Sequence, residues 1–464
     1  MRISLISPGM PYGIQERPEL QFPPLGICSL AAILEAADHD VQIVDLAVIT
    51  WDYEWLKKKV QSFNPEIIGI SALTASFPRT LLISRYLKEQ FPDIPIVLGG
   101  IHPTFTDEKT LSENDYIDII VRREGEITFL KLLTAMQKGE SFKSIEGLTF
   151  RDDGQIVRTP DRPFIKDLDS LPIPAYHLLE TIDIYNEVQS QLVVSSRGCP
   201  NHCVFCSTSA YWGHFWRGMS PHRVLEEMDI LVYEYNAKRI VFGDDLFTLN
   251  KKRVHQICDG LEERGNYVEW LCSVRADSID LDLLKHMKRA RCVGVFIGVE
   301  SGRQESLDKM MKRTTVDTNI KAVKMCREAE LETTTSFLLG LPWETEDDIK
   351  ETIDFAVNRL GSSEVIWSLL HPDVGSHIYN NLEQYGIRFV DSNLEHCMGN
   401  APSVISTPHL SADRLSELWV EAAIMLDYAE EKEKAREKEK QEKEGKLENG
   451  DNIDNKGKGE CHGH

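Results

Sequence analysis

Short apolar runs alternate with amphipathic stretches along residues 1–138. Five of the runs have the length of one strand: RISLISP, DVQIVDL, PEIIGISAL, IPIVLGG and YIDIIVRREGE. The stretches between them have helical spacing, and one of them begins with prolines in PPLGICSLAAILEAAD. Strands that alternate with helices run parallel, and near-continuous apolar runs indicate burial on both faces. The pattern therefore predicts an α/β fold that begins with a doubly wound parallel sheet.

Residues 139–190 break this alternation and predict a connector. The stretch LTFRDDGQIVRTP is typical of a hairpin that turns at Asp153 and Gly154. The proline-punctuated stretch DLDSLPIPAYHLL predicts a strap that packs between two domains.

Strand-helix alternation returns in residues 191–375. Six strands are predicted here: QLVVSS, RIVFGDD, VEWLCSVRA, VGVFIGVES, TTTSFLLGLP and EVIWSLLHP. Six units are fewer than the eight of a closed barrel, so we expect an open, partial (β/α)6 barrel. Functional side chains of such folds gather at the carboxyl ends of the strands.

The C-terminal part predicts two further segments. Residues 376–428 form a small cap that ends in an apolar-periodic helix, ADRLSELWVEAAIMLDYA. Residues 429–464 are charged and of low complexity, so we expect disorder. The final CHGH offers metal ligands in Cys461, His462 and His464, but we favour a floppy tail that binds metal adventitiously.

Composition narrows the class of protein. A length of 464 residues fits two or three domains. The net charge is −22, which argues against general nucleic-acid binding. No apolar stretch approaches the roughly 20 residues of a membrane span, and we interpret the N-terminus as a strand rather than a signal peptide. Ten scattered cysteines without a signal peptide indicate a cytoplasmic protein whose clustered cysteines serve metal or redox chemistry.

Three cysteines cluster in RGCPNHCVFCS, where Cys199, Cys203 and Cys206 have the spacing C-x3-C-x2-C. A structural zinc site needs four ligands, and His202 or His214 would have to supply the fourth. His202 adjoins Cys203 and cannot easily turn back, so zinc is the weaker interpretation. A [4Fe–4S] cluster held by three thiolates keeps one iron open for a small molecule. We therefore predict such a cluster.

The cysteine motif, with an aromatic residue before its last cysteine and a place after the first barrel strand, resembles the radical S-adenosylmethionine (SAM) superfamily. The resemblance implies that the open iron binds SAM and that its reductive cleavage gives a 5′-deoxyadenosyl radical. It also implies SAM contacts at the other strand ends. The alternative for each acidic residue there is a solvated loop position or a helix cap, and we favour the site for Asp244 and Glu300. The usual glycine-rich segment after the second strand is replaced by an acidic pair, a form found in cobalamin-dependent members. The implied SAM-contacting residues are Phe205, Asp244, Asp245, Arg275, Glu300 and Leu339.

The N-terminal region resembles a cobalamin-binding domain. Its S-x-L element matches Ser71 to Leu73, and its G-G element matches Gly99 and Gly100. The D-x-H-x-x-G element is absent, so the resemblance implies cobalamin without a protein histidine beneath the cobalt; His102 is expected to line the slot and not to ligate. The alternative is a flavodoxin-like sheet without a cofactor. The implied cobalamin-contacting residues are Ser71, Leu73, Thr74, Gly99, Gly100, His102, Glu124, Gly125 and Glu126.

Together these resemblances, which cover residues 1 to about 375, imply a cobalamin-dependent radical SAM methyltransferase. It would carry a methyl group from SAM through methylcobalamin to an unactivated carbon. Ring formation or oxidation with the same cofactors is an alternative, and a cobalamin or iron–sulfur sensor without turnover is another. An electron donor such as ferredoxin or flavodoxin is the implied partner. The substrate, whether peptide side chain, lipid or tetrapyrrole, should enter over the barrel mouth, bounded by the region after His371.

Overall fold

A computed structural model describes residues 1–10, 21–189, 191–398, 401–429 and 431. The CHGH end, for which we favour a floppy tail over a metal site, and almost all of the charged tail lie outside these ranges. Within them, no helix has the length and apolar character needed to cross a lipid bilayer.

The first sheet has seven strands in the order β2-β1-β3-β4-β5-β6-β7. The first five strands along the chain pair in parallel, as predicted, while β6 and β7 form an antiparallel hairpin that adds to the β5 edge. The predicted connector therefore contributes two strands to this sheet. The strands are β1 Arg2–Ser7, β2 Asp40–Asp45, β3 Ile67–Ser71, β4 Ile96–Gly99, β5 Ile119–Val121, β6 Leu148–Asp152 and β7 Gln155–Arg158.

Helices cover both faces of the first sheet, which confirms the doubly wound architecture. The predicted helix after PPLG begins directly behind Pro24. A short helix, α7, follows in the strap that leads to the second sheet. These helices are α1 Leu25–Glu35, α2 Tyr53–Phe63, α3 Phe77–Gln90, α4 Ile101–Phe105, α5 Asp107–Glu113, α6 Gly125–Lys138 and α7 Ile182–Glu187.

The second sheet is the predicted partial barrel. Its six strands are all parallel and follow chain order, β8-β11-β12-β13-β14-β15, with a separate two-stranded ribbon of β9 and β10. The strands are β8 Gln191–Val193, β9 Ser196–Arg197, β10 Arg217–Gly218, β11 Arg239–Phe242, β12 Glu269–Val274, β13 Cys292–Glu300, β14 Glu332–Leu339 and β15 Glu364–Leu369.

Helices alternate with these strands, and a small cap follows the last one. The barrel helices are α8 Thr208–Trp212, α9 Pro221–Tyr233, α10 Lys251–Glu263, α11 Leu281–Arg289, α12 Gln304–Lys309, α13 Val316–Glu328 and α14 Glu346–Asp354, which a π-helical turn continues through Phe355–Leu360. The cap holds α15 His377–Asn380, the strand pair β16 Arg388–Phe389 and β17 Ile405–Ser406, and a final helix over residues 412–429.

The two sheets share one continuous apolar core. It runs from the α1 face of the first sheet through the strap to the layer between the barrel strands and their helices, and to the final helix. Polar bonds fix the strap as well: Thr181 and Tyr185 donate to the Asp45 carboxylate at 2.8 and 2.6 Å. The final helix is held by Trp419, whose indole N–H donates to the carbonyl of Trp367 at 3.0 Å. The domains are therefore joined rigidly through buried contacts.

Candidate active site

The three motif cysteines lie on one loop, residues 198–207, called here the cysteine loop. It follows β9 and precedes α8, at the carboxyl end of the first barrel strand. All three thiols are free and partly buried. The backbone N–H of Cys206 donates to the carbonyl of Cys203 at 3.2 Å, and the Asn201 amide donates to the Cys199 sulfur at 3.2 Å.

Backbone contacts fix the shape of the cysteine loop. Gly198 has φ of +92°, and a Cβ at this position would collide with the carbonyl of Phe215. Val204 is buried, and its N–H donates to Met310 while its carbonyl accepts from Ile378, both at 3.0 Å. These hydrogen bonds therefore hold the loop to the barrel and to the cap.

Charged side chains surround the thiols. Burial raises the pKa of Cys203, and the nearby Lys312 and Arg275 cations oppose this shift. Burial likewise raises the pKa of Cys206, against hydrogen bonding from Thr208. The site thus supplies cations that compensate part of the cost of ionising these thiols, as metal ligation requires.

Glu300 and Arg275, both predicted to contact SAM, lie in this ring of charges. Glu300 has φ of +68° at an irregularity of β13, and its carboxylate pairs with Lys312 at 2.5 Å. This ion pair lies directly against Gly298, where a Cβ would be 2.5 Å from the Glu300 oxygen. Arg275 pairs with Asp277 at 2.9 Å and donates to the Lys312 carbonyl at 2.8 Å. Lys312 was not foreseen from the sequence.

The acidic pair after β11 divides into two environments. Asp244 is buried, and its carboxylate accepts from Ser195 at 2.8 and 3.1 Å and from the Ser196 hydroxyl. Asp245 is more open, accepts from the Gly198 N–H at 3.2 Å, and has its pKa raised to about 6 by desolvation. Asp244 therefore braces the strand end that leads into the cysteine loop, whereas Asp245 faces the loop itself.

The two remaining predicted SAM contacts are apolar. Leu339 ends β14 and is buried, and its carbonyl accepts from the Leu370 N–H at 2.9 Å. Phe205 is partly buried, and its ring lies 6.0 Å from the Lys312 ammonium group.

A cavity opens at the carboxyl ends of β1, β3, β4 and β5. Its wall includes apolar side chains such as Leu5 and Phe129, and glycines that bring bare backbone to the surface. Gly100 has φ of +99°, and a Cβ there would collide with the carbonyl of Ala72. Six of the residues predicted to contact cobalamin line this cavity: Ser71, Gly99, Gly100, Glu124, Gly125 and Glu126.

Leu73, Thr74 and His102 are not in the cavity wall. Leu73 is about half exposed, at 48%. His102 is buried, stacks on Phe77 at 4.0 Å between ring centres, and its Nδ1 lies 3.4 Å from the Thr74 hydroxyl. Burial lowers the pKa of His102 to about 4, so the ring is neutral at pH 7.

Two of the cavity residues also form a joint between the domains. Arg197 is buried and makes a forked ion pair, with Glu124 at 2.7 Å and Glu126 at 2.6 Å. Arg217 adds a second cation to Glu124 at 2.8 Å, and the other Glu124 oxygen accepts from the Ile165 N–H at 2.7 Å. Because Arg197 stands two residues before Cys199, this joint ties the cavity wall directly to the cysteine loop.

The sequence contained a signal for the joint. The REGE stretch and the arginine before Gly198 carry opposite charges, but only the tertiary structure brings them together. A second link was also missed: Arg123 donates to the carbonyl of Ala210 at 2.9 Å, and Tyr211 donates back to the carbonyl of Arg123 at 2.9 Å.

The cysteine loop and the cavity of the first sheet, called here the two recesses, both fit the cofactors that the sequence implies. Within the described ranges, no three His, Cys, Asp or Glu side chains are arranged to hold a single metal ion. Three free thiols on one loop suit a cluster that takes its thiolates at separate corners. The glycine-lined cavity at the edge of a parallel sheet is the usual place for a large flat ligand.

Comparison with known families agrees with a cobalamin-type N-terminal domain followed by a radical SAM domain. Residues 14–133 match the B12 binding domain, and residues 193–356 match the radical SAM superfamily. Among solved structures, the fold is similar to the radical SAM methyltransferase TsrM of Kitasatospora setae, at a TM-score of 0.72 and 17% identity over 90% of this chain and 88% of that one. It is also similar to the cobalamin-dependent radical SAM enzyme OxsB, at a TM-score of 0.67 and 20% identity over 83% of this chain and 56% of that one.

Relatives of higher identity are enzymes too, which argues against the sensor alternative. A Pyrococcus horikoshii protein named as an uncharacterized methyltransferase is 35% identical over 431 residues, covering 91% of this chain and 92% of that protein. The anaerobic magnesium-protoporphyrin IX monomethyl ester cyclase of Rubrivivax gelatinosus is 31% identical over 366 residues, 77% of this chain and 65% of the cyclase. The chain therefore belongs to the cobalamin-dependent radical SAM enzymes, a family that includes methyltransferases and a cyclase.

Proposed function

We propose that the enzyme transfers a methyl group from SAM, through cobalamin, to an unactivated carbon of its substrate. The observation that supports this most is the joint of Arg197 with Glu124 and Glu126, which fixes the cavity of the first sheet beside the cysteine loop. Two reaction centres that must act on one carbon need such a fixed spacing.

The protein's part in this reaction is to hold and orient. When bound, the cluster and cobalamin supply the cleavage of SAM and the carriage of its methyl group. Cys199, Cys203 and Cys206 would hold the cluster. Phe205, Asp245, Arg275, Glu300 and Leu339 would surround SAM, with Asp244 acting indirectly through the strand end that it braces.

Cobalamin would occupy the cavity of the first sheet. Ser71, Gly99, Gly100 and Gly125 would form its close backbone contacts, while Leu73 and Thr74 stand at the rim. His102 would remain stacked on Phe77 and leave the cobalt without a protein nitrogen ligand. Glu124 and Glu126 would contribute through the wall that they form with Arg197.

Ring formation or oxidation is the second candidate, and the 31% identity to the cyclase favours it. We rank methyl transfer first, because the P. horikoshii protein named as an uncharacterized methyltransferase matches over more of both chains and at higher identity.

An electron donor such as ferredoxin or flavodoxin would be the protein partner. We place the enzyme in the cytoplasm, because all nine cysteines within the described ranges are free thiols, as expected in a reducing compartment.

Product analysis of SAM turnover separates the two candidates. The reconstituted holoenzyme, incubated anaerobically with a reductant, trideuteromethyl SAM and a cell extract, should give 5′-deoxyadenosine and S-adenosylhomocysteine in roughly equal amounts per labelled product. Cyclisation or oxidation would instead release deoxyadenosine and change the substrate without transferring the CD3 group.

A further inference from the structure

The segment after β15, residues 370–375, crosses the junction of the two domains. Its first residue, Leu370, is bound through its N–H to the Leu339 carbonyl at the barrel mouth, at 2.9 Å. At its end, Gly375 lies against Phe105 of α4, and a Cβ there would lie 2.5 Å from the ring. This segment therefore links the carboxyl edge of the barrel to the helix that follows Gly100 of the cobalamin-type cavity.

The cap closes over the same segment. The turn Leu394–His396 packs against α3 of the first domain. The next residue, Cys397, has its pKa raised to about 11 by burial and by the negative charge of Asp373 and Asp391. Asp373 therefore lies near Cys397 of the cap, on a segment whose two ends contact the barrel and the first domain.

Two polar side chains on the segment have no partner among the described residues. The Asp373 carboxylate is partly buried, accepts no hydrogen bond and pairs with no cation in those ranges. His371 is 9% exposed, and both of its ring nitrogens lack a hydrogen bond there; the Met398 backbone lies near the ring without completing one. A buried polar side chain nearly always has a partner, so the unpartnered His371 ring, two residues from a partly exposed carboxylate without a cation in those ranges, points to a ligand at this junction.

We propose that Asp373 binds the substrate of the proposed reaction, and that this substrate is a neutral or cationic molecule offering a hydroxyl or ammonium group. An unpaired carboxylate accepts such donors and repels phosphates and carboxylates. His371, two residues earlier on the segment, has a neutral ring, because burial lowers its pKa to about 4. Among the substrate classes considered, an alcohol-bearing lipid or a peptide side chain fits this chemistry, and a tetrapyrrole with free carboxylates does not.

This inference rests on the proposed function, and the experiment is arranged to test the two separately. An extract of the organism is passed over an anion exchanger at pH 7.5. The holoenzyme, with trideuteromethyl SAM and a reductant, is then given either the unretained fraction or the retained, anionic fraction. Wild type should form its CD3-labelled product in the unretained fraction only.

Variants assign the effect to Asp373. Asp373→Asn should lower product formation at least about tenfold, with iron and cobalamin content measured to confirm that it folds. If Asp373→Asn does not load its cofactors, Asp373→Glu replaces it. This variant keeps the negative charge but moves the carboxylate, and it should also lower product formation. Asp391→Asn is the matched control, because Asp391 is an exposed cap carboxylate paired with His396 at 2.6 Å; it should retain wild-type activity.

Each outcome decides one of the two statements. The role of Asp373 would be overturned if product formed in the retained fraction only or did not form in the unretained fraction. It would also be overturned if the Asp373 and Asp391 variants were equally active. A compound of the unretained fraction that changes mass without gaining CD3, in a manner that depends on Asp373, would overturn methyl transfer and leave the substrate class intact.

Discussion

The carboxyl ends of the two parallel sheets are built by different means. At the first sheet, backbone shapes the recess: Gly99 and Gly100 carry no side chain, and Leu5 and Phe129 supply an apolar wall. At the barrel, side-chain charges shape it, with Lys312 bound to Glu300 and Arg275 bound to Asp277 around the thiols. Shape selects a large flat ligand, whereas balanced charge stabilises ionised thiolates and a small zwitterion.

The two edges are also joined through charged side chains that belong to both. Glu124 and Glu126 line the cavity of the first sheet, yet their carboxylates are bound to Arg197 beside the cysteine loop. A substitution that abolishes cofactor binding at one site should therefore leave binding at the other unchanged, unless the substituted residue belongs to this joint.

The largest effect should follow from replacing all three motif cysteines by alanine. Reconstituted wild type should hold about four iron atoms per chain and the variant almost none, and SAM cleavage should cease. Cobalamin content should stay near the wild-type value, since none of the three cysteines lines that cavity.

Cys397→Ala is the matched control, because this thiol is also partly buried but stands outside the loop. Full iron content in the triple variant would refute the cluster assignment. Loss of cobalamin together with iron would refute the independence of the two recesses.

Arg197→Met should destabilise the fold by about 3–5 kcal/mol, because it leaves Glu124 and Glu126 buried with less compensation. Chemical unfolding measures this loss. Cofactor content should decline at both recesses. Arg264→Met provides the comparison: its pair with Asp229, at 3.2 Å, is about one-third exposed on each side, so a change within about 1 kcal/mol is expected.

Adding Glu124→Gln and Glu126→Gln to Arg197→Met should restore part of the stability, since the uncompensated charges are then removed. A triple variant as unstable as the single one would show that Arg197 acts through packing on Trp212, whose ring lies 5.5 Å away, and not through charge.

Gly100→Ala should weaken cobalamin binding by about tenfold or more, because its Cβ would push against the Ala72 carbonyl in the cavity wall. Gly154→Ala is the control for backbone strain alone: it also has positive φ, +78°, but open space around it, so a loss of about 1 kcal/mol in stability without an effect on cobalamin is expected. Equal cobalamin affinity in the two variants would contradict a recess shaped by backbone.

Sequence patterns predicted the elements well, because burial on both faces leaves the β1 to β5 strands mostly apolar, and the barrel strands keep apolar residues at their buried positions. The cysteine loop and the glycine pair could also be predicted from the sequence, because each motif consists of residues that are close together in the chain. The hairpin of β6 and β7 was foreseen as a hairpin, but its pairing with β5 was not, because strand partners are a tertiary property.

The same limit applies to the charged residues. Glu300 pairs with Lys312 and Glu124 pairs with Arg197, across 12 and 73 residues of chain. A motif indicates that such an acid belongs to a site, but not whether its oxygens face a ligand or another side chain. The roles of Glu124, Glu126 and Asp244 as braces could only come from the folded structure.

His102 offers the smallest expected effect and the sharpest test of the first recess. If that recess binds by shape alone, the cob(II)alamin form should show a paramagnetic resonance spectrum without splitting from an axial nitrogen. The ring stacks on Phe77, faces Thr74 and stays neutral at pH 7, so its contacts are already satisfied within the protein. His102→Gln should therefore leave the cobalt spectrum unchanged, even if the lost stacking lowers thermal stability. A nitrogen triplet in wild type that vanishes in His102→Gln would instead identify His102 as a ligand, and would show that a side chain, as well as backbone, defines the site.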